Sequence, residues 1–218
     1  SETLEKWIEL KQRLEKKHFP HKFAIVHTDG ESVYDNKAWE DHCRDHGLEH
    51  EFSSRYRHDQ NGVVERRMQT IGTSFRCMMI QGSAPVTDAK DALYHANMLS
   101  NMAPTTANGG LSPNEKEAGV RLTVSKRVLK GPLFCLVYAH IYEEERSQGG
   151  RDKKSAHRAV PAVYLGYDDC NNACKVKEWT SGDVYFTADV TFHPNTFPYR
   201  ADPNRSRKWV YELSLIHI

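Results

Sequence analysis

No stretch of this 218-residue sequence is long and apolar enough to cross a bilayer, and no signal peptide is recognisable. Membrane insertion and secretion are therefore not expected. Cysteine is scarce: five residues, an odd number, without the spacing of a disulfide framework, which fits a reduced, intracellular protein. Charge of either sign is not in excess. Thirty Lys and Arg face 29 Asp and Glu, for a net charge of +1. That balance argues against a stand-alone, non-specific nucleic-acid binder, which carries a strong basic surplus. Structural zinc lacks its ligands. His42, Cys43 and His46 have no fourth partner nearby, and Cys170 and Cys174 form a half-site without a second pair. Cys43 is expected in the core and the two histidines at the surface. Internal repeats and low-complexity tracts are also missing. A hydrophobic content of 39% and a mean hydropathy of −0.70 leave room for a lean core, and the length suggests one or two domains.

Against these absences, one stretch stands out: Tyr56 to Arg67, YRHDQNGVVERR. A polar, turn-forming loop runs into an apolar-periodic segment, with Gly62 supplying backbone freedom at the junction. Val64, Met68, Ile71, Phe75 and Met78 recur at helical spacing, which predicts a helix to about Gln81 with a buried stripe. Glu65 falls in its first turn, where the helix dipole favours a carboxylate. Gln69 and Gly72 follow on the same side, where a DNA backbone could approach. Upstream, Phe23–Val26 reads as a short buried strand, and Asp29 falls just past its carboxyl end. Open α/β sheets place their ligands there. Thirty-five residues lie between Asp29 and Glu65. An acid at a strand end and an acid on a later helix can converge on a hard cation such as Mg²⁺. Glu31, two residues on from Asp29, is expected to face water.

The rest of the chain supplies elements on both sides. Thr3 to Lys17 reads as an amphipathic helix capped by Thr3, with Leu4, Ile8, Leu10 and Leu14 on its apolar side and Pro20 beyond its end. Asp35 to His46 reads as a second helix, capped by Asp35 or Asn36, with Trp39 and Cys43 inward and Gly47 after it. Leu48–Phe52 is a second strand, parallel to the first because a helix connects them. A helix over Thr87–Asn101 turns Ala89, Leu93, Ala96 and Leu99 inward. Ser112-Pro113 opens a short helix. From Leu133 the period shortens. Phe134, Leu136, Tyr138 and His140 alternate with other residues, and Val160–Tyr167, Cys174–Trp179 and Val184–Phe192 are β-like, separated by polar turns. Basic residues cluster at Arg55, Arg57, Arg66 and Arg67, at Arg151–Arg158, and at Arg205, Arg207 and Lys208.

Several of these segments are similar to one family. Gln60-Asn61-Gly62-Val63-Val64-Glu65-Arg66 stands where the integrase of copia-type retrotransposons reads QNGVAER. His50 and Ser53, the Asp29-to-Tyr34 and Trp39-to-Cys43 spacings, Ser112-Pro113-Asn114-Glu115, Tyr164-Leu165-Gly166-Tyr167 and Asp189-Val190-Thr191-Phe192 match as well. The resemblance runs from about Leu4 to Arg200. It departs after the aspartate, where the family reads Asn-Gly-Gly-Glu and this chain has Gly30-Glu31-Ser32-Val33.

The resemblance implies an α/β fold: an incomplete ribonuclease-H-like, D-D-35-E polynucleotidyl transferase core of two parallel strands with helices, followed by a small all-β src-homology-3-like barrel. Residues 1–118 would be the C-terminal part of the catalytic core, 119–132 a linker, 133–200 the small barrel and 201–218 a tail. Residues 213–218, LSLIHI, read as a translated sequencing adapter. The implied activity is DNA integration by strand transfer, a 3′-hydroxyl attacking a target phosphodiester in line. Asp29 and Glu65 would be two of three catalytic ligands for Mg²⁺ or Mn²⁺. The third, an aspartate on a strand upstream of Ser1, is expected to be missing together with the first three strands of the fold, so that Phe23–Val26 has an open edge and residues 1–212 alone are inactive. Tyr56, Arg57, His58, Gln60, Asn61, Arg66 and Gln69 would contact DNA. The implied partners are element ends and target DNA, with homo-oligomerisation of the full-length protein, in the nucleus or in a virus-like particle. Two alternatives stand beside this: a domesticated or decayed relative that binds nucleic acid without catalysis, and another transposase or nuclease of the same fold. The barrel-like tail with YLGY and DVTF favours copia-type ancestry over the latter.

Overall fold

The computed structural model describes residues 2–28, 32–52, 62–122, 130–141, 158–168 and 170–201. It divides into two compact units, Ser1–Arg67 and Met68–Ile218.

The first unit contains α1 (Glu2–Lys17), β1 (Ile25–Thr28), α2 (Lys37–Asp45), β2 (Glu49–Phe52) and the first turns of α3 (Gly62–Gly82). β1 and β2 are parallel, as the intervening helix demands, with Ile25 opposite Glu49 and Thr28 opposite Phe52. The strand begins two residues later than the apolar run suggests. Phe23 instead packs edge-on to Trp7, ring centroids 5.4 Å apart, ahead of the strand. The expected buried strand is only half covered: Val26 is buried and Ile25 is 51% exposed. Asn36, not Asp35, caps α2, its side-chain oxygen accepting from the Trp39 N–H at 3.2 Å. That cap helps set Trp39, 1% exposed, at the centre of a small core with Val26, Cys43 and Leu48, flanked by Leu4, Trp7, Phe23 and Tyr34.

Three expectations for this unit are corrected. Thr3 lies inside α1 rather than capping it. Leu10 is exposed, and Trp7 takes the inward place, while Lys11 is buried against Glu15 at 3.0 Å. Glu15 also accepts from the Phe23 N–H at 3.1 Å, tying the end of α1 to the approach to β1. His42 is buried, not at the surface, and burial lowers its pKa.

The second unit contains the rest of α3, α4 (Ala89–Met102), α5 (Pro113–Ala118), β3 (Leu136–His140), β4 (Ala159–Asp168), β5 (Ala173–Glu178), β6 (Val184–Thr187), β7 (Val190–His193) and α6 (Pro198–Ala201). The five strands form one antiparallel sheet in the order β6-β5-β4-β3-β7. Val184–Phe192, expected as one run, is two strands. The short helix α5 opens at Ser112-Pro113 as predicted; Ser112 caps it, and Glu115 accepts from the Ser112 N–H at 2.9 Å.

The core of this unit joins helices to sheet. Met79, Ala84 and Ala92 are buried with Phe134, Val137, Val163, Tyr164 and Val176. The predicted α3 stripe holds only in its second half, where Phe75 and Met78 pack partly buried against this core. Val64 is 64% and Met68 58% exposed, and burial is complete only at Met79 and Gly82, near the end of the helix. On α4, Leu93 is 51% exposed, and Ala92, His95 and Ala96 face inward. Charge seals the seam between helix and sheet. The buried Asp88 accepts from Lys177 Nζ at 2.8 Å and from the Tyr199 hydroxyl at 2.5 Å, and Asp91 takes Lys175 at 2.5 Å.

Two core positions carry predictions. A Cβ on Gly82 would stand 2.7 Å from both Cβ and Cδ2 of Phe134, which is 0% exposed. Overpacking at a core position of this kind costs about 1–3 kcal/mol, so Gly82→Ala should lower the urea midpoint without changing the slope. An unchanged midpoint would mean that Phe134 is free to move. The second is the buried His95, beside Gly166, whose φ of 126° suits only glycine. Burial pushes the His95 imidazole down to about 4 from an ordinary value of 6.5. The unfolded chain therefore takes up a proton that the folded chain refuses. The contribution of neutral His95 is present above pH 6.5 and lost on acidification toward 4. Wild type should lose stability relative to His95→Gln across that window in denaturant titrations. Parallel curves would contradict this.

Candidate active site

Alternation along a strand puts residues two apart on one face. Val26 and Thr28 share a face of β1, and the register places His50 and Phe52 beside them on β2. This is the face that covers Trp39. The His50 ring stacks on Trp39, centroids 5.8 Å apart, and lies against Phe52 at 4.2 Å. His50 Nε2 is 2.9 Å from the Thr28 hydroxyl. Burial holds the His50 imidazole below its ordinary value, against the opposing pull of Asp35 and Glu40. The opposite face carries His27 and Glu51, 3.4 Å apart and exposed.

Thr28 ends β1, so position 29 follows the strand directly. Asp29 itself lies outside the described residues, as do Gly30 and Glu31. So do Tyr56, Arg57, His58, Gln60 and Asn61 of the loop expected to meet DNA. Glu65 is described. It is the acidic residue in the first turn of α3 and it is exposed. Such a position stands beside the unpaired N–H groups of a helix start. Arg66 and Gln69 are exposed on the same helix. Gly72, a turn beyond, leaves open space, since a Cβ there would meet only the Arg76 guanidinium at 4.0 Å.

Among the described residues, no group of three or more His, Cys, Asp or Glu side chains gathers to hold a metal. The available donor is the Glu65 carboxylate, a hard oxygen ligand open to solvent. That chemistry suits Mg²⁺ or Mn²⁺, which bind through few carboxylates and keep water or phosphate oxygens. The Thr28–His50 pair was not legible in the sequence. Seeing it requires the strand register, and the one available signal was a threonine next to Asp29 paired with a histidine in the second strand.

Comparison with known proteins adds three findings. Residues 135–206 match the family model of the Retroviral polymerase SH3-like domain. Over 190 residues, 86% of this chain, the sequence is 25% identical to the Retrovirus-related Pol polyprotein from transposon TNT 1-94 of Nicotiana tabacum. The chain spans only 13% of that polyprotein's length. A solved structure of a simian T-cell lymphotropic virus intasome, in complex with PP2A regulatory subunit B56 gamma, aligns with a TM-score of 0.45 and 13% identity. That alignment covers 86% of this chain and 61% of the matched one. The antiparallel sheet β3–β7 is thus the SH3-like region. Over most of its length the chain is thus similar to one part of a retrovirus-related Pol polyprotein.

Proposed function

We propose that this chain is part of a copia-type retrotransposon integrase, in which Asp29 and Glu65 hold a divalent cation for strand transfer into target DNA. The observation that carries this reading is the exposed Glu65 in the first turn of α3, within the same compact unit as the carboxyl end of β1. The 35-residue spacing and the motif around Glu65 support it. A bound Mg²⁺ or Mn²⁺ would supply a lowered pKa for the attacking 3′-hydroxyl and charge stabilisation on the phosphate.

The chain's own residues set the stage for that chemistry. The parallel pair β1–β2 ends at Thr28, the residue before Asp29 in the chain. The start of α3 presents Glu65 in an exposed first turn. Arg66 and Gln69 offer donors to phosphate oxygens, and Tyr56, Arg57, His58, Gln60 and Asn61 complete the DNA-facing set. A phosphate contact fixes the register of the duplex without reading its sequence, so little base preference is expected from these residues. The partners would be element ends and target DNA, acted on by an oligomer of the full-length protein in the nucleus or in a virus-like particle.

A second reading is a nucleic-acid-binding relative without catalysis, favoured by Gly30-Glu31-Ser32-Val33 in place of the family's Asn-Gly-Gly-Glu. The deciding experiment is Mg²⁺-dependent DNA joining by a longer polyprotein segment that contains this chain. Loss of joining in both Asp29→Asn and Glu65→Gln supports the integrase. Joining unaffected by either change, or none in the parent despite DNA binding, favours the second reading.

A further inference from the structure

We infer that Arg76 is a phosphate contact for DNA: with the Thr73 hydroxyl and the bare backbone of Gly72 it makes a seat on α3 for one phosphate of a duplex. The inference deepens the proposed function and rests on α3 meeting DNA along the side that carries Gln69.

Positions 69, 72, 73 and 76 follow the three- and four-residue steps that bring side chains onto one side of a helix. Gln69 and Thr73 are exposed, and Gly72 and Arg76 are half-buried. The core takes other residues of the same helix, Phe75, Met78 and Met79. Little balances the charge of Arg76. Glu65 is the only acid in α3, and among the described residues no carboxylate pairs with Arg76. A guanidinium keeps its proton at any pH a protein meets, so the positive charge stays. It is nevertheless held in place. Nη2 donates to Thr73 Oγ1 at 3.3 Å. Nη1 lies 4.0 Å from where a Cβ on Gly72 would stand. The side chain thus folds back over the preceding turn, as long side chains on helices do.

That arrangement suits a phosphate better than it suits a purely local role. Arginine has several N–H donors beyond the one given to Thr73, and its planar fork matches phosphate oxygens with two parallel bonds. A threonine hydroxyl and a glutamine amide, the groups at positions 73 and 69, also bond phosphate oxygens. Gly72 puts no side chain between them, so a DNA strand can come close to the helix there. An exposed bond between Arg76 and Thr73 adds little to the stability of the helix by itself, which leaves the unbalanced charge as the distinctive feature of the position.

The test is the fluorescence anisotropy of a labelled blunt-ended DNA duplex titrated with the 218-residue chain over a series of salt concentrations. Each phosphate contact contributes about 0.9 to the slope of log affinity against log salt. Arg76→Ala should lower that slope by about 0.9 and weaken binding equally for duplexes of unrelated sequence. Arg76→Lys keeps the charge and should keep the slope. An unchanged slope in Arg76→Ala overturns the inference. A slope that falls as far in Arg76→Lys traces the effect to packing and overturns it too. If Arg76→Ala melts early, Arg76→Gln, which keeps a long polar side chain without the charge, takes its place. Arg66→Ala separates the two levels. If it lowers the slope while Arg76→Ala does not, the DNA-facing role proposed for Arg66 stands and the seat at Arg76 is wrong. If neither lowers it, or the parent chain binds no duplex, the DNA contacts proposed for α3 fail and the inference fails with them.

Discussion

Mg²⁺-dependent DNA joining should fall at least ~100-fold in Glu65→Gln and by a comparable factor in Asp29→Asn, with the double variant little worse than either single one. The magnitude follows from what removal of one charged group costs at a site built to stabilise transition-state charge, ~10²–10³ in rate. Non-additivity follows because both carboxylates would serve one cation, and losing either loses the ion. The loss should appear in the rate at saturating DNA rather than in DNA affinity, since the phosphate contacts proposed for Arg66 and its neighbours would remain. Glutamine keeps the shape of glutamate and removes only its charge. Glu65 is exposed in the first turn of a long helix, so the variant should fold as the parent does. A thermal melt on the same preparations separates chemistry from stability. Loss of joining with an unchanged melt is the expected pair of results, and joining within a fewfold of the parent would contradict it.

A fragment of residues 133–201 should fail to melt cooperatively, whereas residues 68–201 should do so. The antiparallel sheet is half of a core whose other half comes from α3 and α4. Removing the helices strips Met79, Ala84 and Ala92 from contact with Phe134, Val163 and Tyr164, all of which are buried. Burying one large apolar side chain contributes ~1.5–3 kcal/mol. The cut also takes Asp88 from Lys177 and Tyr199, and Asp91 from Lys175. A buried polar group left without its partner costs ~1–3 kcal/mol. Several such terms together reach the whole stability of a typical domain, about 5–15 kcal/mol. Circular dichroism melts and amide-proton dispersion of the two fragments would check this. A sharp transition from residues 133–201 alone, at the temperature of the longer fragment, would show that the sheet needs no helices.

What the sequence made legible was local. The caps at Asn36 and Ser112, the parallel pairing of β1 with β2 and the inward Trp39 and Cys43 each depend on a few neighbouring residues. What it hid depends on partners distant in the chain. The periodic apolar residues of α3 are real, but only the second half of the helix, from Phe75 on, packs against the core that Phe134 and the sheet supply, so Val64 and Met68 stay exposed. On α4, a rule that turns leucine in and histidine out fails. Small Ala92 and Ala96 let the helix lie close to β4, and His95 is buried with them. Phe23 lengthened the apparent strand because a loop residue packing on Trp7 looks like a strand residue. The candidate site follows the same division. Its motif was visible in the residues around Glu65, whereas the Thr28–His50 bond needs the register of β1 on β2.

The central claim is that the acids at positions 29 and 65 grip one divalent ion at the tip of the parallel sheet. The most direct measurement is the Mn²⁺ binding isotherm of the wild-type chain beside Asp29→Asn, Glu65→Gln and the double variant. One saturable ion, lost in each single variant and with nothing further to lose in the double, is the predicted result. An isotherm that none of the three changes would contradict it.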